Sequence, residues 1–92
     1  MRLYIIVIEY LDLKLFDSDY LDSILEQFGK YAKLTSTSYL VRTVASSSDI
    51  RSTLLEKDTD IDRIFVTACE APSAWRGMIA SNENIKELLR DE

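Results

Sequence analysis

The chain has 92 residues, 47% of them hydrophobic, and a formal net charge of −5 from 11 Lys and Arg against 16 Asp and Glu. That length holds one domain, 1–92, with a thin core that buries a little over roughly 60% of the unfolded surface, and the apolar content excludes a disordered chain. The absence of histidine removes the commonest general acid–base group and the Ser and Cys triads that need it, while the acidic balance disfavours a nucleic-acid partner.

The first strand is expected over Arg2–Tyr10, dense in β-branched and aromatic residues, with a continuous apolar run that calls for cover on both sides. The apolar part, Leu3–Ile8, is far shorter than the ~20 residues of a membrane span. It also lacks the cationic start and small-residue cleavage site of a signal peptide. No membrane partner is expected. Leu11–Asp17 is a connection. A first helix starts at Asp17 or Ser18, both good N-caps, and presents Leu21, Ile24, Leu25 and Phe28 on one face. Gly29 ends it, as a residue suited to the left-handed C-terminal position.

Lys30–Val44 divides into a short strand, Tyr31–Leu34, and a longer one, Thr37–Val44. The latter sets Tyr39 and Val41 on one face and Leu40 and Arg42 on the other. The Ser/Thr-rich stretch between them is a loop or a weak edge pairing. Ser46, Ser47 and Ser48 supply redundant caps for a second helix, whose apolar side is Ile50, Leu54 and Leu55 and whose end is near Lys57. Asp58–Asp62 is a solvated acidic turn and Asp62–Cys69 a strand. Glu70–Ala80, with the only proline and the only tryptophan, is a loop or short strand. Ser81 or Asn82 caps a last helix with Ile85, Leu88 and Leu89 on one face.

This order of elements predicts an α+β fold: a ferredoxin-like, split β-α-β sandwich with both central helices on one sheet face and an added C-terminal helix. The competing arrangement is an open parallel sheet with helices on both faces, which the few strands and the lack of a glycine-rich first turn disfavour.

The opening Met-Arg-Leu-Tyr-Ile-Ile-Val-Ile, the helix ending Gln27-Phe28-Gly29, the stretch Ser36–Thr43, Ser48-Asp-Ile-Arg51, the strand Ile64–Thr67 and Ala74-Trp-Arg-Gly77 ahead of an amphipathic helix occur in a telling order. Together they resemble small SinR-like bacterial proteins (not the helix-turn-helix repressor), relatives of the CRISPR-associated protein two and virulence-associated protein D type. The resemblance spans nearly the whole chain. It implies a ferredoxin-like fold and a homodimer whose sheets meet across a two-fold axis. In the nuclease branch of that superfamily an aspartate ends the first strand; here Glu9 holds that place, with Asp12 three residues on.

Glu9 is the first candidate site residue. A carboxylate at the carboxyl end of a buried strand is where many α/β sites sit. Two copies of Glu9, supported by Asp12, would share a magnesium or manganese ion in a dimer; no other cofactor is implied. The alternative is a residue at the strand's wet end, or one paired with Arg42 or Arg63. Asp58-Thr-Asp-Ile-Asp62 opens like a calcium loop, but Arg63 and Cys69 stand where that loop needs glycine and glutamate. Asp12, Asp17, Asp19 and Asp22 read as caps and solubilising charges. Cys69, the only cysteine, forms no intrachain disulfide and reads as an inert thiol of a reducing, cytoplasmic compartment. Trp75 and Arg76 are candidates for anchoring a partner or stacking a base, against the reading of a tryptophan that closes the core.

Three functions compete. The first is a homodimeric interaction module without catalysis, acting on another protein. The second is a metal-dependent nuclease built on Glu9, with Arg2, Arg42 and Arg63 as its basic surroundings. The third is an acidic inhibitor or nucleic-acid mimic. The missing histidine and glycine-rich loop favour the first.

Overall fold

Arg2–Tyr10 forms the first strand, β1, and its side chains alternate between two faces that are covered to different extents. The computed structural model describes residues 2–69 and 77–90. After β1 and a single 3-10 turn at Leu13–Leu15 come helix α1 (Ser18–Glu26), strands β2 (Lys30–Thr35) and β3 (Ser38–Thr43), helix α2 (Ser47–Lys57), strand β4 (Ile61–Ala68) and helix α3 (Asn82–Leu89). The strands form one sheet in the order β2-β3-β1-β4, with every neighbouring pair antiparallel. This is the ferredoxin-like α+β sandwich, with the C-terminal helix present.

Tyr4, Ile6, Ile8 and Tyr10 of β1 point to one face. There they meet Tyr39 and Val41 of β3, Leu21, Ile24 and Leu25 of α1, and Ile50 and Leu54 of α2. Both central helices therefore share this face, as expected. Phe28 is packed at the edge of the cluster, whereas Leu55 is exposed. The opposite face carries a smaller core: Leu3, Ala32 and Leu40 beneath Ile85 and Leu88 of α3. Burying one Leu or Ile side chain contributes about 1.5–3 kcal/mol, so α3 is a bound element of the fold.

Local signals explain the joints. Asp17, Ser46 and Ser81 each accept a backbone N–H from the first turn of the following helix. Helix α1 ends at Glu26, three residues before Gly29, which has φ +134°. A Cβ at Gly29 would lie 2.9 Å from the Arg42 carbonyl oxygen, so glycine is required there for both conformation and space. The Ser/Thr-rich stretch is a two-residue turn, Ser36–Thr37, joining β2 to β3, closed by a Thr35–Ser38 hydroxyl contact of 2.6 Å. Strand β4 begins at Ile61. The register steps from Glu9–Arg63 to Tyr10–Ile61, leaving Asp62 as the extra residue of a bulge.

Asp58 departs from the expectation of a solvated acidic turn. It is buried, accepts the Tyr10 hydroxyl at 2.6 Å and accepts the Asp60 N–H. Tertiary contact turned this carboxylate inward, because the α2 terminus lands over the end of β1.

Candidate functional site

Helix α3 packs mainly on β2 and β3 and meets β1 at Leu3, while farther along β1 and β4 the same face carries exposed side chains. Alternation along β1 and β4 then decides what that face presents. Val7 stands opposite Phe65, and Glu9 opposite Arg63. Val7 is 47% exposed and Phe65 63%, unusual for large apolar side chains on a sheet. Beside them the Arg63 guanidinium donates to the Glu9 carboxylate. That hydrogen bond, and the charge behind it, hold the Arg63 pKa above its ordinary value. The outer edge of β4 has no neighbouring strand among the described residues.

Of the two arginines expected as partners for Glu9, the structure selects Arg63. Arg42 donates from Nε at 2.9 Å and from its terminal nitrogen to the Leu88 carbonyl, holding the end of α3. Arg2 lies at the other end of β1, seven residues from Glu9, or about 23 Å at ~3.3 Å per residue. Of the three arginines expected around Glu9, only Arg63 stands beside it. Asp12 accepts the Lys14 N–H at 2.9 Å, a local turn contact. Among the described residues, no group of three or more Cys, Asp and Glu is placed to hold a metal ion. One oxygen of Glu9 is engaged by a guanidinium, so the described residues of a single chain do not supply a donor set for a divalent cation there.

Trp75 and Arg76 lie outside the described residues. Cys69 is half-buried, its pKa raised by burial and only partly offset by Arg42, so its thiol is the protonated, poorly nucleophilic form. A polar cluster that the sequence reading did not single out joins α1 to the sheet. The Asp22 carboxylate accepts the Tyr39 hydroxyl at 2.6 Å and the Lys33 ammonium at 3.3 Å, and Lys33 also donates to Ser18. Lys33 sits 5.7 Å from the centre of the Tyr39 ring. Each charge is paired, which marks a structural latch. The open Val7–Phe65 patch was likewise missed. Its signal was present in the sequence, since Phe65 alternates with Ile64 and Val66 and therefore faces away from the main core.

No protein-family model matches this sequence, and no curated protein is significantly similar to it.

Proposed function

We propose that this protein is a non-catalytic interaction module that works as a homodimer, its open half-sheets meeting face to face. The observation that carries the reading is the Val7–Phe65 pair, two apolar cross-strand neighbours left in water beside the Glu9–Arg63 pair. Large exposed apolar side chains that are contiguous mark interaction surfaces. A second copy is the occupant this patch fits. An isologous two-fold contact sets the same surface against itself, and a surface carrying one cation and one anion is complementary to its own rotated copy. Glu9 of one protomer would approach Arg63 of the other, with the two Phe65 rings between them. The free β4 edge adjoins the same patch, and covering it removes an aggregation hazard. The resemblance to SinR-like relatives of CRISPR-associated protein two, which implies sheets joined across a two-fold axis, supports the same reading.

Sedimentation or light scattering tests it. Wild type is expected to be dimeric at micromolar concentration, Phe65→Glu monomeric with an unchanged circular dichroism spectrum, and Leu55→Glu, on exposed α2 surface, dimeric. A monomeric wild type at high concentration would sink the proposal. A Phe65→Glu variant that stays dimeric would move the interface elsewhere.

A further inference from the structure

At the opposite end of β1 from Glu9, on the helix-bearing side of the sheet, there is a cleft of about 500 Å³ lined by Arg2, Tyr4, Thr43, Val44, Ser46 and Ser47 among others. We propose that this cleft binds the phosphate group of a small phosphomonoester. The site does not depend on the dimer proposed above, because it lies on the other face of the sheet.

The N-terminus of α2 opens into the cleft. The first N–H groups of a helix have no acceptor within it. Here Asp49 N–H is taken by the Ser46 hydroxyl and Ile50 N–H by the Ser46 carbonyl. The N–H groups of Ser47 and Ser48 keep no intrahelical acceptor, and Ser47 lines the cleft. Their alignment with the helix dipole favours an anion.

The second observation is independent of the helix and comes from Tyr4. This residue is 4% exposed and lines the cleft, yet no described residue hydrogen-bonds to its hydroxyl. No fully buried side-chain oxygen or nitrogen among the described residues lacks a partner, so the Tyr4 hydroxyl keeps some solvent exposure on a residue that lines the cleft. A phenol committed so deeply to a core normally finds a partner. Thr43, 2% exposed on the same wall, accepts the Ala45 N–H and leaves its own hydroxyl hydrogen to donate.

Arg2 completes the set. It is exposed at the rim and has no ion-pair partner among the described residues. The guanidinium fork matches a phosphate in two parallel hydrogen bonds. A phosphate offers these donors several acceptor oxygens and a negative charge that complements the guanidinium and the helix dipole, a charge that a neutral ligand lacks and a cation reverses. Val44, Ala45 and Ala68 give an apolar flank for the body of a phosphomonoester. The opposing charges are the net −5 and Asp49 in the first turn of α2, and Asp49 does not line the cleft.

The experiment is a titration of isotopically labelled full-length protein, followed by amide resonances, with phenyl phosphate, inorganic phosphate and phenol as separate probes. Phenyl phosphate is expected to shift the Ser47 and Ser48 amides saturably in the submillimolar to millimolar range. Inorganic phosphate should shift the same amides more weakly, and phenol should leave them unmoved. Arg2→Gln should weaken phenyl phosphate binding about tenfold, as expected for a lost charge-assisted pair. Tyr4→Phe should weaken it severalfold with the rest of the spectrum intact. Lys86→Gln, with the same change in net charge on distant α3, should bind as wild type does. Non-saturating shifts, shifts centred elsewhere, or equal weakening by Arg2→Gln and Lys86→Gln would each overturn the assignment.

Discussion

The Tyr10 hydroxyl donates to the Asp58 carboxylate at 2.6 Å across 48 residues of sequence, tying the end of β1 to the residue that caps α2. Both partners are buried. Replacing Asp58 by Ala leaves the phenol and the Asp60 N–H without their acceptor. Denaturant unfolding should then report a loss of about 1–3 kcal/mol. Asp58→Asn, which keeps an acceptor oxygen, should lose less. An unchanged midpoint for Asp58→Ala would show that the contact contributes nothing.

Alkaline pH should unfold the protein through its phenols. Burial first, then the hydrogen bond to Asp58, raises the Tyr10 pKa from 10.0; burial and then Asp22 do the same for Tyr39. A raised folded pKa means the folded state holds the proton more tightly. The stabilising contribution is therefore complete below pH 10.0, the unfolded value, and is lost as pH rises toward the folded values. Phenolate absorbance from these two residues should appear together with loss of circular dichroism. Ionisation of all five tyrosines with the fold intact would contradict this.

The Glu9–Arg63 pair should matter to assembly more than to folding. It is solvent-exposed, and exposed pairs contribute little to stability. Arg63→Glu should leave the melting temperature nearly unchanged and weaken the dimer. The exchange Glu9→Arg with Arg63→Glu should restore it, because the rotated copy is again complementary. Failure of the exchange to restore association, with Arg63→Glu monomeric, would place the charge effect outside a two-fold contact.

Metal-dependent cleavage of single- or double-stranded RNA or DNA is not expected from wild type or from Glu9→Gln, with magnesium or manganese or with chelator. The Arg63 guanidinium already engages Glu9, and the net charge repels a polyanion. Cleavage by wild type that disappears in Glu9→Gln would promote the nuclease reading, with two Glu9 carboxylates sharing a cation in the dimer.

Arg42 should control the docking of α3. Its side chain donates twice to the Leu88 carbonyl. Arg42→Ala is expected to cost about 1–3 kcal/mol and to speed hydrogen exchange in α3 while β1 and β3 stay protected. Uniform exchange across the chain would instead mean that α3 opens only with global unfolding.

Among the described residues, the order and type of the strands and α-helices were legible in the sequence because most had a strong local cause, whereas the 3-10 turn at Leu13–Leu15 was not, and most of the Glu70–Ala80 stretch lies outside the described residues. Leu21, Ile24, Leu25 and Phe28 fall on one helical face, Ser46 and Ser81 cap their helices, and β1 is a short run dense in β-branched and aromatic residues. Local cause also fixed that Tyr39 and Val41 share a face. What local pattern could not supply was which surfaces meet. The sequence of Asp58–Asp62 reads as a wet turn, and only the approach of Tyr10 makes Asp58 a buried acceptor. Glu9 had two candidate arginines, and antiparallel register put Arg63 opposite it while α3 claimed Arg42. Phe65 looks like a core residue by composition. It is exposed on the face where α3 packs mainly on β2 and β3. Period and capping act over a few residues, so the sequence displays them directly; burial, ion pairing and the open patch depend on strand order, which the chain settles only by folding.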